Sequence, residues 1–176
     1  MEITCLIFII FVSVIYFSIG RVKTYVHRLY SGFLITTTGN IIFDMITIYT
    51  VNHLDKVPEW LNHLCHQIFI GSLDVALFLI SLYVVNLVRA DWLDTTRNKI
   101  LWCTPIAVAL IVIAFGDLYY MKTEAGNYSY GPAARTCYTI CAVYLILSVY
   151  VIIQHWHETD RRKKNVVLAA LTVEIL

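Results

Sequence analysis

Leu64–Val88 reads LCHQIFIGSLDVALFLISLYVVNLV, with Asp74 its single charged residue and His66 its single histidine. A helix that crosses a bilayer needs about 20 mostly apolar residues. This run exceeds that length. It is also more than twice as long as a barrel strand and does not alternate polar with apolar residues. The reading is therefore a transmembrane helix, and four more segments repeat it. Ile3–Ile19, Ile100–Gly116 and Thr136–Gln154 carry no charge, and Leu29–Val51 carries only Asp44. After the basic run Arg161–Lys164, a further apolar segment opens at Val166–Leu176. Eleven helical residues rise about 16 Å, half a bilayer core. An interfacial helix would need a charged face, and this segment offers only Glu174. The expectation is an all-α, polytopic transmembrane helix bundle over residues 1–176. It has five complete spans (3–19, 29–51, 64–88, 100–116 and 136–154) and an incomplete sixth (166–176) in a longer protein.

Composition agrees. Of 176 residues, 59% are hydrophobic and 14% charged, against about 25% charged in a soluble domain. The mean hydropathy is +0.71. Disordered, collagen-like and disulfide-scaffold chains are excluded, and a soluble globule of this size could not bury so much apolar side chain. A net charge of +1 argues against a nucleic-acid partner and leaves the lipid bilayer as the expected one.

Lysine and arginine set the orientation. The connections after the first, third and fifth spans hold Arg21, Lys23, Arg28, Arg89, Arg97, Lys99 and Arg161–Lys164. The other two hold only Lys56, Lys122 and Arg135, so the 13 cations divide ten to three. By the positive-inside rule the first group faces the cytoplasm and the N-terminus lies outside. Met1-Glu2 has no basic stretch before the first span, which therefore reads as an anchor and not a cleaved signal. Arg161–Lys164 also suits anionic lipid headgroups.

Ionisable residues inside spans are functional candidates. Asp44 and Asp74 stand out. Asn40 and Asp44, four residues apart, share a helix face, and Asp74 lies at a comparable depth with Gln67 and Ser72 nearby. Two readings stay open: helices joined by interhelical hydrogen bonds, or a ligand or proton site. The stretch from Thr50 to Asp74 adds His53, Asp55, His63, Cys65 and His66. His63 and His66 could chelate one ion, but Cys65 falls on another face and the familiar zinc spacings are absent. No metal and no cofactor are expected, and a structured outer loop with Pro58 and Trp60 is the simpler reading. Asp117 and Arg135 are placed to form an ion pair across the Tyr119–Ala133 loop. The five cysteines contain no Cys-x-x-Cys and read as small buried thiols. His157-Glu158 matches the His-Glu pair of a kinase phosphoacceptor, but two residues against the membrane do not make one. No two glycines are adjacent, so neither a cyclase signature nor a phosphate-binding loop is present. Catalysis is not expected of this chain.

The phrase ITIYTVNHLDKVPEWLNHLCHQIFIGSLD (Ile46–Asp74), the basic turn Arg21–Arg28 and NYSYGP (Asn127–Pro132) resemble one group of proteins. These are the N-terminal membrane regions of Firmicute-type bacterial signalling proteins. In them a multi-span sensor region precedes a diguanylate cyclase domain or, in relatives, a histidine kinase core. The resemblance runs from about Tyr16 to Leu176. It implies a signal-input region in the bacterial cytoplasmic membrane, responding to a small-molecule or membrane stimulus. It also implies a homodimer formed through an output domain outside this chain. Asn40, Asp44, His63, His66 and Asp74 would then sense the stimulus or hold the bundle. The competing readings are a small transporter or channel using Asp44 and Asp74, a membrane metalloenzyme using the outer histidines, and a structural membrane subunit.

Overall fold

The computed structural model describes residues 2–18, 24–123 and 126–175, with side chains at 122–128 and 169–175 excepted. The cations Arg21 and Lys23, the side chains of Lys122, Asn127 and Glu174, and Leu176 lie outside that set. The elements in order are α1 (Glu2–Ser18), α2 (Tyr25–Asn52), α3 (Glu59–Val88), α4 (Thr96–Phe115), β1 (Tyr119–Thr123), β2 (Gly126–Tyr130), α5 (Pro132–His155) and α6 (Arg161–Ile175). A single 3-10 turn, Trp92–Asp94, joins α3 to α4. Among the described residues four helices, α2 to α5, are long and apolar enough to cross a membrane. At 17 residues α1 is a shorter apolar helix.

Three of these four helices begin four residues before the apolar run that announces them, and α3 begins five before. Hydropathy marks only the part that suits hydrocarbon, whereas the helix runs on to its cap. The Thr24 hydroxyl accepts from the His27 N–H at the start of α2. Pro58 precedes α3, and Pro132 opens α5, where a missing N–H costs nothing. Helix α6 likewise starts at Arg161 and takes the basic run into its first turn.

Helix α3 is the centre of the bundle and packs against α2, α4, α5 and α6. Leu82, Val85, Trp102, Ala109, Ile140, Tyr144 and Val151 form the main core where α3, α4 and α5 meet. Helix α1 packs on α2 and buries no residue of its own. Its exposed Ile7, Phe8, Phe11 and Val14 need an apolar surround. Helix α6 turns back on the bundle, with Val167 buried between Val84 and Ile152.

The segment read as the Tyr119–Ala133 loop contains an antiparallel hairpin, with Tyr119 opposite Tyr130 and Met121 opposite Tyr128. Its alternating aromatic residues and the Gly126-Asn127 pair are the signal for strands. Gly131 closes it at φ +129°, where a Cβ would lie 2.6 Å from the Asp117 carbonyl oxygen, so only glycine fits.

Candidate functional site

Asn62, His66, Ile70 and Asp74 recur at four-residue spacing along α3, hence on one face, and all four are buried. Asn62 and Asp74 are fully enclosed, at 0% exposure. Neither side-chain atom of Asn62 and neither carboxylate oxygen of Asp74 has a hydrogen-bond partner among the described residues. The Cys137 thiol of α5 faces Asp74 but falls short of hydrogen-bond geometry. His66 Nδ1 lies 2.9 Å from the Asn62 carbonyl oxygen. The His66 ring meets Tyr120 of β1 edge-on, with centroids 5.2 Å apart. The Tyr120 hydroxyl is buried without a partner. Burial, helped by the charge of Glu59, pushes its phenol up to about 12. The hairpin thus caps a column of buried polar groups running down α3. Orphaned buried polar atoms are costly, and such groups gather where a ligand, a proton or water is handled.

The other expected site residues divide. Asn40 donates to the Phe69 carbonyl at 2.9 Å and to Ser72 Oγ at 3.0 Å, which ties α2 to α3. Gln67 donates to the carbonyls of Ile113 and Ala114 at 2.9 and 3.1 Å, in the last turn of α4. Those carbonyls have no intrahelical donor, so Gln67 closes that helix end. Asn40 and Ser72 thus join α2 to α3, whereas Gln67 joins α3 to α4. Asp44 is half-buried and senses the charge of Glu2 on α1. Asp74 is turned to Cys137 on α5. Both acids lie within the apolar stretches of adjacent helices. His63 is half-buried. Among the described residues no three His, Cys, Asp or Glu side chains converge as a metal site would require. Asp117 and Arg135 form no ion pair among the described residues. Asp117 accepts instead from the Tyr119 hydroxyl at 3.3 Å, because the hairpin brings Tyr119 over it.

Sequence reasoning missed a second polar group at the opposite end of α3. Arg89, just past α3, pairs with Asp91 at 3.0 Å, and its Nη1 lies 3.3 Å from His155 Nε2. His155 Nδ1 lies 3.2 Å from Glu158 Oε2, and the His155 carbonyl accepts from the Thr159 hydroxyl at 2.8 Å. The guanidinium of Arg89 holds the Asp91 carboxyl below the ordinary carboxylate range. A guanidinium can only donate, so Nε2 accepts and Nδ1 carries the proton given to Glu158. Residues 66 apart are joined, and no local spacing announces such a pair. The network fastens the end of α3 to the elbow between α5 and α6.

Among the described residues two apolar grooves stand out on α5. One, of about 660 Å³, lies between α4 and α5 along Pro105, Val108 and Ile140, with Arg135 at one end. The other, of about 430 Å³, follows Val149, Ile152, Ile153 and Trp156 to His157 at the elbow. No family model, curated protein or solved structure matches the chain.

Proposed function

We propose that the chain is the membrane-embedded signal-input region of a bacterial signalling protein, lying in the cytoplasmic membrane with its N-terminus outside. In this reading α1 to α5 are five spans, and α6, which turns back along α3, begins a sixth. The output domain, a diguanylate cyclase or a histidine kinase core, follows in the full-length protein and forms a homodimer. Catalysis belongs to that domain and not to this chain. The observation that carries the reading is the construction of α3. One continuous helix holds unpartnered Asn62 and Asp74 under the outer hairpin, and Arg89 just beyond its other end is bonded to the α5–α6 elbow. A stimulus that partners those buried groups favours one position of α3, and the elbow transmits the shift. Full-length protein carrying Asp74→Asn or Asn62→Leu tests this through cyclic dinucleotide production or autophosphorylation. Output should be locked high or low, and unchanged output and stimulus response in both variants would end the sensing role.

A small transporter or channel is the second reading, favoured by the buried carboxylate of Asp74 in mid-helix. Proton or ion flux into proteoliposomes that Asp74→Asn abolishes would replace the sensor reading with this one.

A further inference from the structure

The α5–α6 elbow combines three features that the signalling reading does not use. An apolar groove of about 430 Å³ runs along Val149, Ile152 and Ile153 and ends at Trp156 and His157. The Lys164 ammonium stands 4.9 Å above the centroid of the Trp156 ring. Arg161, Arg162 and Lys163 precede it in the same helical turn, all exposed. The acids beside them are Glu158, engaged by His155, and the exposed Asp160.

We propose that this elbow binds an anionic phospholipid. One acyl chain lies in the groove, and the phosphate is held by Lys164 and the neighbouring cations. The chemistry divides as a lipid requires. The groove offers almost wholly apolar walls to a hydrocarbon chain. Lys164 stands over Trp156 at its polar end, where a headgroup phosphate sits once the chain is inserted, and the other three cations lie in the same helical turn. A free phosphate would gain nothing from Ile152 and Ile153, and a zwitterionic lipid brings an ammonium of its own that four cations repel. Trp156 suits the boundary, since an indole joins an apolar body to a polar edge. Lys164 over that ring gains a cation–π contact while its ammonium stays available to the phosphate. A bound lipid would brace α6 against α5, next to the Arg89–His155–Glu158 network.

The inference rests on α5 crossing the bilayer, and the experiment separates the two. The whole chain is reconstituted in vesicles of phosphatidylcholine containing a rising fraction of brominated phosphatidylglycerol or, in parallel, brominated phosphatidylcholine. Tryptophan quenching is the readout, and Trp156→Phe identifies the Trp156 share. Phosphatidylglycerol should quench Trp156 at a much lower mole fraction than phosphatidylcholine. The preference should fall about fivefold for each cation neutralised among Arg161, Arg162, Lys163 and Lys164. Lys164→Arg, which keeps charge and stacking, should retain it and guards against a misfolded glutamine variant. Equal quenching by the two lipids overturns the site, as does a preference unchanged in the quadruple glutamine variant. Competition by millimolar inorganic phosphate against lipid quenching would mean a soluble-anion site and would also overturn it. Quenching of no tryptophan by either lipid would overturn the membrane-spanning reading itself.

Discussion

The Tyr144 hydroxyl donates to the Trp102 carbonyl at 2.8 Å and accepts from the Ile106 N–H at 3.2 Å. In an uninterrupted helix those two backbone groups are partners, four residues apart. Between them sits Pro105, the one proline inside α4, which has no N–H and crowds the carbonyl four residues back. A side chain from α5 therefore enters the backbone ladder of α4 where the proline loosens it. In an apolar surround a neighbouring helix is the available source of replacement hydrogen bonds. Tyr144→Phe should lower stability by about 1–2 kcal/mol. Pro105→Ala restores the rung from residue 105 to the Leu101 carbonyl and should reduce that loss by letting the next rung, Ile106 to Trp102, close. Unfolding of the four members of this cycle in mixed micelles checks the coupling, and strict additivity would contradict it.

Ser81 ties the same core together from α3. It accepts from the Trp102 indole N–H at 2.9 Å and from the Ser148 hydroxyl at 3.2 Å, and all three side chains are buried. Ser81→Ala leaves the indole N–H enclosed and unpaired, whereas Ser148→Ala removes a donor and leaves Trp102 satisfied. The first should cost about 1–2 kcal/mol and the second less than half of that. Equal losses in the same unfolding assay would show that packing, not the hydrogen bond, sets the cost.

The pairing of Arg89 with Asp91 has a pH signature. The guanidinium holds the Asp91 carboxyl below its ordinary value, so the folded state binds that proton less tightly than the unfolded state does. Its contribution is therefore present above the unfolded value of about 3.9 and is lost as pH falls through the depressed folded value. Carboxyl carbon NMR should find Asp91 titrating below the ordinary aspartate value of about 3.9, and Arg89→Gln should raise it toward that value. In mildly alkaline buffer, nitrogen NMR should find His155 protonated on Nδ1 and bare on Nε2, the arrangement Arg89 imposes.

Helix positions were readable because apolar runs of this length admit one kind of structure: of the five runs four became helices long enough to cross a membrane, Ile3–Ile19 became the shorter α1, and Leu64–Val88 became the hub of the bundle. Starts were read late because hydropathy marks only the apolar part of each helix, while Thr24 and Pro58 set the helix ends. The site was half legible. Asn40 and Ser72 met as spacing suggested, since a polar residue facing a neighbouring helix in an apolar setting finds a partner. Spacing gives the face of a residue's own helix but not the helix lying opposite. The same gap hid Arg89 and His155, and the ion pair expected of Asp117 and Arg135 gave way to Tyr119 once the hairpin formed.

The column on α3 makes the sharpest separation between a site and a structural core. A structural polar group is bonded, and its removal weakens the fold. Asn62 and Tyr120 keep buried atoms without partners, so their removal should do the reverse. Asn62→Leu replaces an unpaired amide with an apolar group of similar size. Tyr120→Phe deletes an enclosed hydroxyl whose phenol is pushed up to about 12, because burial disfavours its anion. Each change should raise stability by about 1 kcal/mol. Asn40→Ala, which breaks two bonds between α2 and α3, should lower it by a similar amount. Tyr120 adds a second test, since its folded value lies above the unfolded one. Because the enclosure excludes the phenolate, ionisation costs the fold nothing below about pH 10 and destabilises it as pH rises through about 12. The gain from Tyr120→Phe should therefore grow over that window. Stability that falls in Asn62→Leu and Tyr120→Phe alike would make the column a piece of ordinary core, and the polar groups under the hairpin would lose their claim to be a site.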